Sequence, residues 1–328
     1  MLQFVVAALL AVACTVDQPS PDESASGAIQ QVTTTAVPAT QVKLPAPDEP
    51  PEKVSCWEDD WPADVDPTCI KVWNRTAVFT GPNKLDPAGF DLKMTGWDPD
   101  LELLDGARAP ARVRRGGDGF WRFEWEAGGA TWMKFSYPVT AEEPLNGDWA
   151  ELSRKQPPFT TSGEVEVRFQ HNTDDSANFI SCNNTAFLAC TTNIQSDEDK
   201  MGGGVLVQTL PVSIRLLNDL GDPVETRWTV TSADSLWLDP TGTDLVEGGQ
   251  LAARSAGWLG MYQNPTKQPG LELETRITSG PNLNGRPTLR IGDGGVVTCD
   301  ARKQQSTQAY KCEVTQSGRV VTMRIAAL

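Results

Sequence analysis

The chain has 328 residues and carries 28 Lys and Arg against 43 Asp and Glu, which gives a formal net charge of -15. This length suffices for about two domains, and without a basic surface the chain is not expected to bind nucleic acid. The single histidine, His171, excludes zinc motifs that need two histidines. We therefore predict no metal site and no cofactor.

The N-terminus is the first segment with a clear pattern. Residues 2–13 are uncharged and, apart from Gln3, apolar. They are too few to span a bilayer but suit the core of a signal peptide, predicted at 1–13. The run ends Ala-Val-Ala before Cys14, which resembles a bacterial lipobox, whose cysteine is acylated. This resemblance implies a membrane anchor at Cys14 and a place in the cell envelope, facing the periplasm or the exterior. The same Ala-x-Ala also fits ordinary cleavage, so secretion is the alternative.

Residues 14–53 are predicted to form a disordered tether. The segment is rich in Pro, Ser, Thr and Ala and has no aromatic residue. Such a composition cannot bury enough apolar surface to offset the entropy lost on ordering. A tether of this kind holds the folded part away from a membrane.

The remaining sequence predicts strands separated by turn residues. A Pro-rich break at 155–158 divides it into a Trp-rich domain, 54–155, and a second domain, 160–328. No window keeps a helical period over ten or more residues. The pattern indicates an all-β protein with two β-sandwich domains. Strands are predicted at 76–79, 89–94, 119–125, 131–137, 164–169, 205–217, 271–277, 296–299, 310–314 and 320–325.

Seven cysteines are present. With Cys14 set aside, the other six form three local couples, and disulfide pairing within each couple is the simplest of the 15 arrangements. Disulfides indicate an oxidising compartment, and the absence of a Cys-x-x-Cys sequence disfavours metal binding. The predicted couples are Cys56 with Cys69, Cys182 with Cys190, and Cys299 with Cys312.

Eight of the eleven tryptophans lie between residues 57 and 149. Within this region the order of motifs resembles the starch- and glycogen-binding modules of the early-set immunoglobulin-like class, over residues 76–149. The resemblance implies an immunoglobulin-like sandwich that stacks α-glucan rings on Trp97 and Trp149 and hydrogen-bonds them through Lys134. The motifs are GWDP at 96–99, GDGFW at 117–121, MKF at 133–135 and NGDW at 146–149.

These features predict an exported, lipid-anchored surface protein that binds a ligand, such as an α-glucan or another glycan, and does not catalyse a reaction. The alternative is a structural or adhesin-type envelope protein whose domains contact other envelope proteins. A hydrolase that uses two carboxylates is a third interpretation, because 43 acidic residues offer many pairs.

Overall fold

The computed structural model describes residues 41–56, 67–104, 110–124, 130–138, 162–171, 178–184, 188–197, 200–232, 235–302 and 310–328. Within these ranges the protein is all-β, as predicted, with short 3-10 turns at Pro240–Gly242 and Asp293–Gly295. None of the described segments is a helix with the length and hydrophobicity that crossing a membrane requires. The predicted signal peptide and Cys14 lie outside the described residues.

Twenty-three strands are assigned in these ranges. In chain order they are β1 (Gln41–Lys43), β2 (Pro67–Arg75), β3 (Val78–Gly81), β4 (Lys84–Asp86), β5 (Leu92–Trp97), β6 (Glu102–Leu103), β7 (Arg112–Val113), β8 (Asp118–Glu124), β9 (Thr131–Pro138), β10 (Ser162–Gln170), β11 (Phe179–Cys182), β12 (Leu188–Asp197), β13 (Lys200–Thr209), β14 (Pro211–Asn218), β15 (Val224–Val230), β16 (Leu236–Leu238), β17 (Gln250–Leu251), β18 (Ser255–Gln263), β19 (Leu271–Ile277), β20 (Arg286–Ile291), β21 (Val296–Arg302), β22 (Tyr310–Ser317) and β23 (Val320–Ala327). All ten predicted strands overlap an observed one, although the predicted strand at 205–217 is divided at Leu210 between β13 and β14.

The first sandwich packs sheet I, with strand order β12-β13-β2-β8-β6, against sheet II, with order β11-β10-β9-β5-β7. Its core follows from period-two alternation, which sends every second side chain to the inner face. Trp121 and Phe123 of β8 are fully buried, and so is Phe135 of β9. The rings of Trp121 and Phe135 meet edge to face, with their centroids 5.4 Å apart.

The second sandwich packs sheet III, with strand order β16-β18-β14-β23-β22, against sheet IV, with order β1-β21-β20-β19-β15-β17. The sequence Leu-Glu-Leu-Glu-Thr-Arg-Ile of β19 buries Leu271, Leu273 and Ile277 and leaves its charged residues on the outer face. The two sandwiches meet where the Phe79 N–H donates to the Tyr262 hydroxyl at 3.2 Å.

The division between the sandwiches corrects the predicted domain limits of 54–155 and 160–328. Strand β10 pairs with β9 across the Pro-rich break, and β13 pairs in parallel with β2. The first core therefore includes residues from Val165 to Val207, beyond the predicted limit, and the second core is built mainly from Val212 onward. The break was misleading because a long connection between two strands of one sheet has the same composition as a linker between domains.

The predicted tether, 14–53, also requires a correction, because residues 41–56 are packed against both sandwiches. We call this segment the strap. Its first part belongs to the second sandwich: β1 pairs with β21, and Leu44 is buried in the second core. The Arg319 guanidinium donates to the carbonyl oxygen of Pro45 at 2.7 Å.

The second part of the strap lies on the first sandwich. The Gln208 amide makes two hydrogen bonds with the backbone of Asp48, at 3.3 and 2.9 Å. The Asn193 amide donates to the carbonyl oxygen of Glu52 at 3.0 Å. Val54 and Cys56 then form a small buried cluster against the outer face of sheet I. Side-chain amides thus satisfy the polar backbone of a segment that composition alone marks as disordered.

The three predicted disulfides are confirmed, with Cα atoms 5.6 to 5.9 Å apart, within the usual range. The Cys56–Cys69 bond fixes the end of the strap to β2. The other two each join strands from the two facing sheets of one sandwich, β11 to β12 and β21 to β22. All three are consistent with an oxidising, extracytoplasmic environment.

Candidate functional site

The outer faces of the two sheets in the first sandwich differ in access. On sheet I, the strap covers Trp73, which is 3% exposed. Lys71 lies over the Trp73 ring at 5.1 Å from its centroid and pairs with Glu52 of the strap at 2.5 Å. On sheet II, no described segment forms a buried cluster with the outer face. Among the described parts of this sandwich, sheet II is therefore the one whose outer face is left open.

Strands β9 and β10 place one aromatic and four charged side chains on this open face. In β9 the residues Met133 and Phe135 face the core, so Trp132 and Lys134 face outward. In β10 the same alternation turns Glu164, Glu166 and Arg168 outward. The register sets Glu166 opposite Lys134 and Arg168 opposite Trp132. We call this set the β9–β10 face: Trp132, Lys134, Glu164, Glu166 and Arg168.

The side chains of the β9–β10 face hold one another in position. The Lys134 ammonium lies 5.0 Å from the centroid of the Trp132 ring. It also pairs with Glu164 and Glu166, each at 3.2 Å, and Glu166 pairs in turn with Arg168. The backbone of Gly96 runs close beside the Trp132 ring, and a Cβ atom added at Gly96 would lie 3.7 Å from that ring. An aromatic surface and a row of alternating charges are thus oriented before any ligand arrives.

The charges of this face shift two pKa values. Hydrogen bonds from Arg168 and then Lys134 lower the pKa of Glu166, and hydrogen bonds to Glu166 and Glu164 raise the pKa of Lys134. Both groups are therefore charged at neutral pH. Glu166 is suited to accept hydrogen bonds, and Lys134 to donate them. The lowered pKa of Glu166 is the opposite of what a general acid at neutral pH requires.

This network predicts a specific pH dependence. Since the folded-state pKa of Glu166 is depressed, its stabilising contribution is complete above the unfolded value of about 4.3. The contribution is lost as the pH falls through the folded value. We expect Glu166→Gln to destabilise the protein at pH 7 and to have a smaller effect at pH 3. Urea unfolding of both proteins at the two pH values measures this, and an equal effect at both would contradict it.

A shallow, open depression of about 410 Å³ adjoins the charged row. It is lined by Glu166 and Arg168 of β10 and by Ser181, Cys182 and Asn183 at the end of β11. The Cys182–Cys190 disulfide fixes this end of β11. The Asn183 side-chain oxygen accepts the Glu166 N–H at 2.7 Å. The depression extends the β9–β10 face toward an edge of the sheet.

The three residues predicted to bind a glycan have different placements. Lys134 lies on the β9–β10 face, with 31% of its side chain exposed. Trp97 is 38% exposed at the end of β5, but the register pairs it with buried Met133, whereas Gly96 pairs with Lys134. Directly opposed residues point to the same face, so Trp97 and Lys134 leave the sheet on opposite sides. Trp149 lies outside the described residues.

Sequence reasoning did not single out Trp132 as a ligand contact. The spacing of Trp132 and Lys134, two residues apart, was a usable signal, because it places both side chains on one face of a strand. Trp121 also lies in an alternating strand, but on the inner face. Period-two alternation separates two such tryptophans only when the buried phase of each strand is known.

No cluster of three or more His, Cys, Asp or Glu side chains positioned to hold a metal ion occurs in the described ranges. No known family model matches this chain, and no curated protein matches it.

Proposed function

We propose that this protein is an exported binding protein that holds a glycan on the β9–β10 face of its first sandwich. The observation that carries the proposal is Trp132, a half-buried side chain on the outer face of sheet II, fixed beside Lys134 and the charged row. The flat apolar face of an indole suits the face of a sugar ring. Ligand binding by such a preformed surface requires no bond-breaking chemistry.

The charged row supports a hydroxyl-rich ligand. Glu164 and Glu166 are acceptors for sugar hydroxyl groups, while Lys134 and Arg168 are donors. Because each charge already has a partner of opposite sign, the face is close to neutral as a set and favours a neutral polymer over a highly charged one. The shallow, open shape of the adjoining depression suits a chain that passes along the surface.

Attachment to a membrane through acylated Cys14 belongs to the same proposal. The three disulfides support export. An acyl chain on Cys14, followed by the residues that precede the strap, would hold the folded part outside the membrane. Mass spectrometry of the native protein checks this directly, since a mature chain that retains Met1 contradicts it.

Affinity electrophoresis through gels that contain glycogen, starch or a β-glucan tests the glycan site. We expect one of these polymers to retard the protein and Trp132→Ala to weaken the apparent affinity at least about fivefold, since truncated aromatic anchors commonly cost more than 1 kcal/mol. Arg168→Ala should also weaken retardation, because it removes a donor from the row.

Arg227→Ala supplies a matched control. Arg227 pairs with Glu225 two residues earlier in β15, as Arg168 pairs with Glu166 in β10, but it lies on the second sandwich. It should leave retardation unchanged. If no gel retards the parent protein, or if Trp132→Ala and Arg227→Ala behave alike, the glycan proposal is wrong and a structural role in the envelope takes its place.

A further inference from the structure

The outer face of sheet III carries a cation–aromatic pair of a different kind. Arg215 of β14 stands directly opposite Trp258 of β18, and its guanidinium carbon lies 5.6 Å from the centroid of the Trp258 ring. The neighbours of Arg215 in β14, Ile214 and Leu216, are buried in the second core. Arg215 therefore points away from the core, and Trp258 shares its face.

Arg215 has no acidic partner among the described residues, in contrast to four other arginines of this sandwich. Arg227, Arg286, Arg290 and Arg324 each form a salt bridge with a glutamate or an aspartate. Arg215 forms neither a salt bridge nor a hydrogen bond with any described residue, and its Nε atom is buried without an acceptor. The Arg215 guanidinium therefore carries a positive charge that no described carboxylate neutralises, in a chain whose net charge is -15.

The aromatic partner is held by its backbone. The Trp258 N–H donates to the Asp244 carboxylate at 2.5 Å. Its carbonyl oxygen accepts from the N–H groups of Asp244 and Leu245, at 3.0 and 3.2 Å. These bonds fix the strand position from which the indole projects. The guanidinium lies over the indole, and no described residue accepts from its terminal N–H groups, so these groups are available to an incoming anion.

We infer that Arg215 and Trp258 form a second binding site, for a carboxylate group on an otherwise neutral saccharide, such as a uronate residue. The guanidinium fork matches the two oxygens of a carboxylate, and the indole offers an apolar surface for the sugar ring that carries it. Thr322 of β23, opposite Arg215 on its other side, places a hydroxyl group in the same row.

The surrounding charges select a ligand with few charges. A densely charged polyanion is repelled by the net charge of -15, and the next cation on this face, Arg324, is already paired with Asp219 and Glu313. A single carboxylate per ligand is therefore what this site accommodates. The inference depends only on contacts of the second sandwich and is independent of the glycan site on the β9–β10 face.

Titration of the ¹⁵N-labelled full chain with glucuronate, followed by NMR, tests the site. The Trp258→Ala variant assigns the Trp258 indole N–H signal. We expect glucuronate to shift this signal and the Arg215 Nε–H signal in a saturable way, with a dissociation constant on the order of millimolar, as a site of one carboxylate and one ring would give. Glucose, which lacks the carboxylate, should leave both signals in place.

Two variants and one matched anion complete the test. Arg215→Ala should abolish the shift of the Trp258 signal, and Arg215→Lys, which keeps the charge but loses the fork, should weaken binding roughly tenfold. Sodium acetate at equal concentration should bind more weakly than glucuronate, since it has no ring. Equal shifts with acetate and glucuronate, an unchanged response in Arg215→Ala, or no saturable shift in the parent protein would each overturn the inference.

Discussion

Gly202→Ala is expected to displace the strap and to destabilise the protein by about 2–3 kcal/mol. A Cβ atom at Gly202 would lie 2.0 Å from the carbonyl oxygen of Val54. The contact is with backbone, so no side-chain rotation relieves it. The strap must move away from β13, and Trp73 beneath it, 3% exposed in the native protein, gains solvent. Urea unfolding followed by tryptophan fluorescence measures both effects.

Gly221→Ala is the matched control for this experiment. A Cβ atom at Gly221 would meet no other atom within 4 Å, and the φ angle there is not positive. Alanine at this position should therefore change the stability by less than about 0.5 kcal/mol. If Gly202→Ala is as stable as Gly221→Ala and its fluorescence is unchanged, the strap does not pack on sheet I as described.

Trp121→Ala should have the largest effect of any single substitution considered, a loss of about 3–5 kcal/mol. Trp121 is fully buried at the centre of the first core, and its ring contacts that of Phe135. Removing the indole leaves a cavity that the surrounding strands, fixed by their ladders, fill only in part. Denaturant unfolding measures the loss.

Trp121→Phe separates volume from hydrogen bonding at the same position. The Trp121 indole N–H has no acceptor among the described residues, so phenylalanine removes volume without breaking a hydrogen bond and should cost markedly less than alanine. Val246→Ala, at a side chain 57% exposed, should be nearly neutral. A Trp121→Ala protein as stable as Val246→Ala would contradict the assignment of Trp121 to the core.

Much of the architecture was predictable from local patterns. Period-two alternation identified β19 and β10, and the spacing of the cysteines identified all three disulfides. These inferences succeed because strand alternation and short disulfide loops are properties of neighbouring residues. The all-β class follows from the same local signals.

The role of the triple glycine at 202–204 could not be predicted from neighbouring residues. It lies within β13, although glycine is uncommon in the interior of a strand. A Cβ atom at each position would collide with a different part of the molecule: the Val54 carbonyl oxygen at Gly202, Ile180 and Ile70 at Gly203, and the Asn193 side chain at Gly204. Close approach of several segments that are distant in sequence explains this glycine run.

By itself, the sequence determined the all-β class, the cysteine pairing and the presence of many tryptophans and few histidines, because each depends on residue type and on near neighbours. Only the tertiary structure decided that residues 41–56 pack on both sandwiches and that β10 to β13 complete the first one. It also decided that Trp132 lies on an outer face and Trp121 on an inner one. The physical reason is that burial and pairing between remote strands depend on which faces meet, and the alternation of a single strand is the same whichever face becomes the inside.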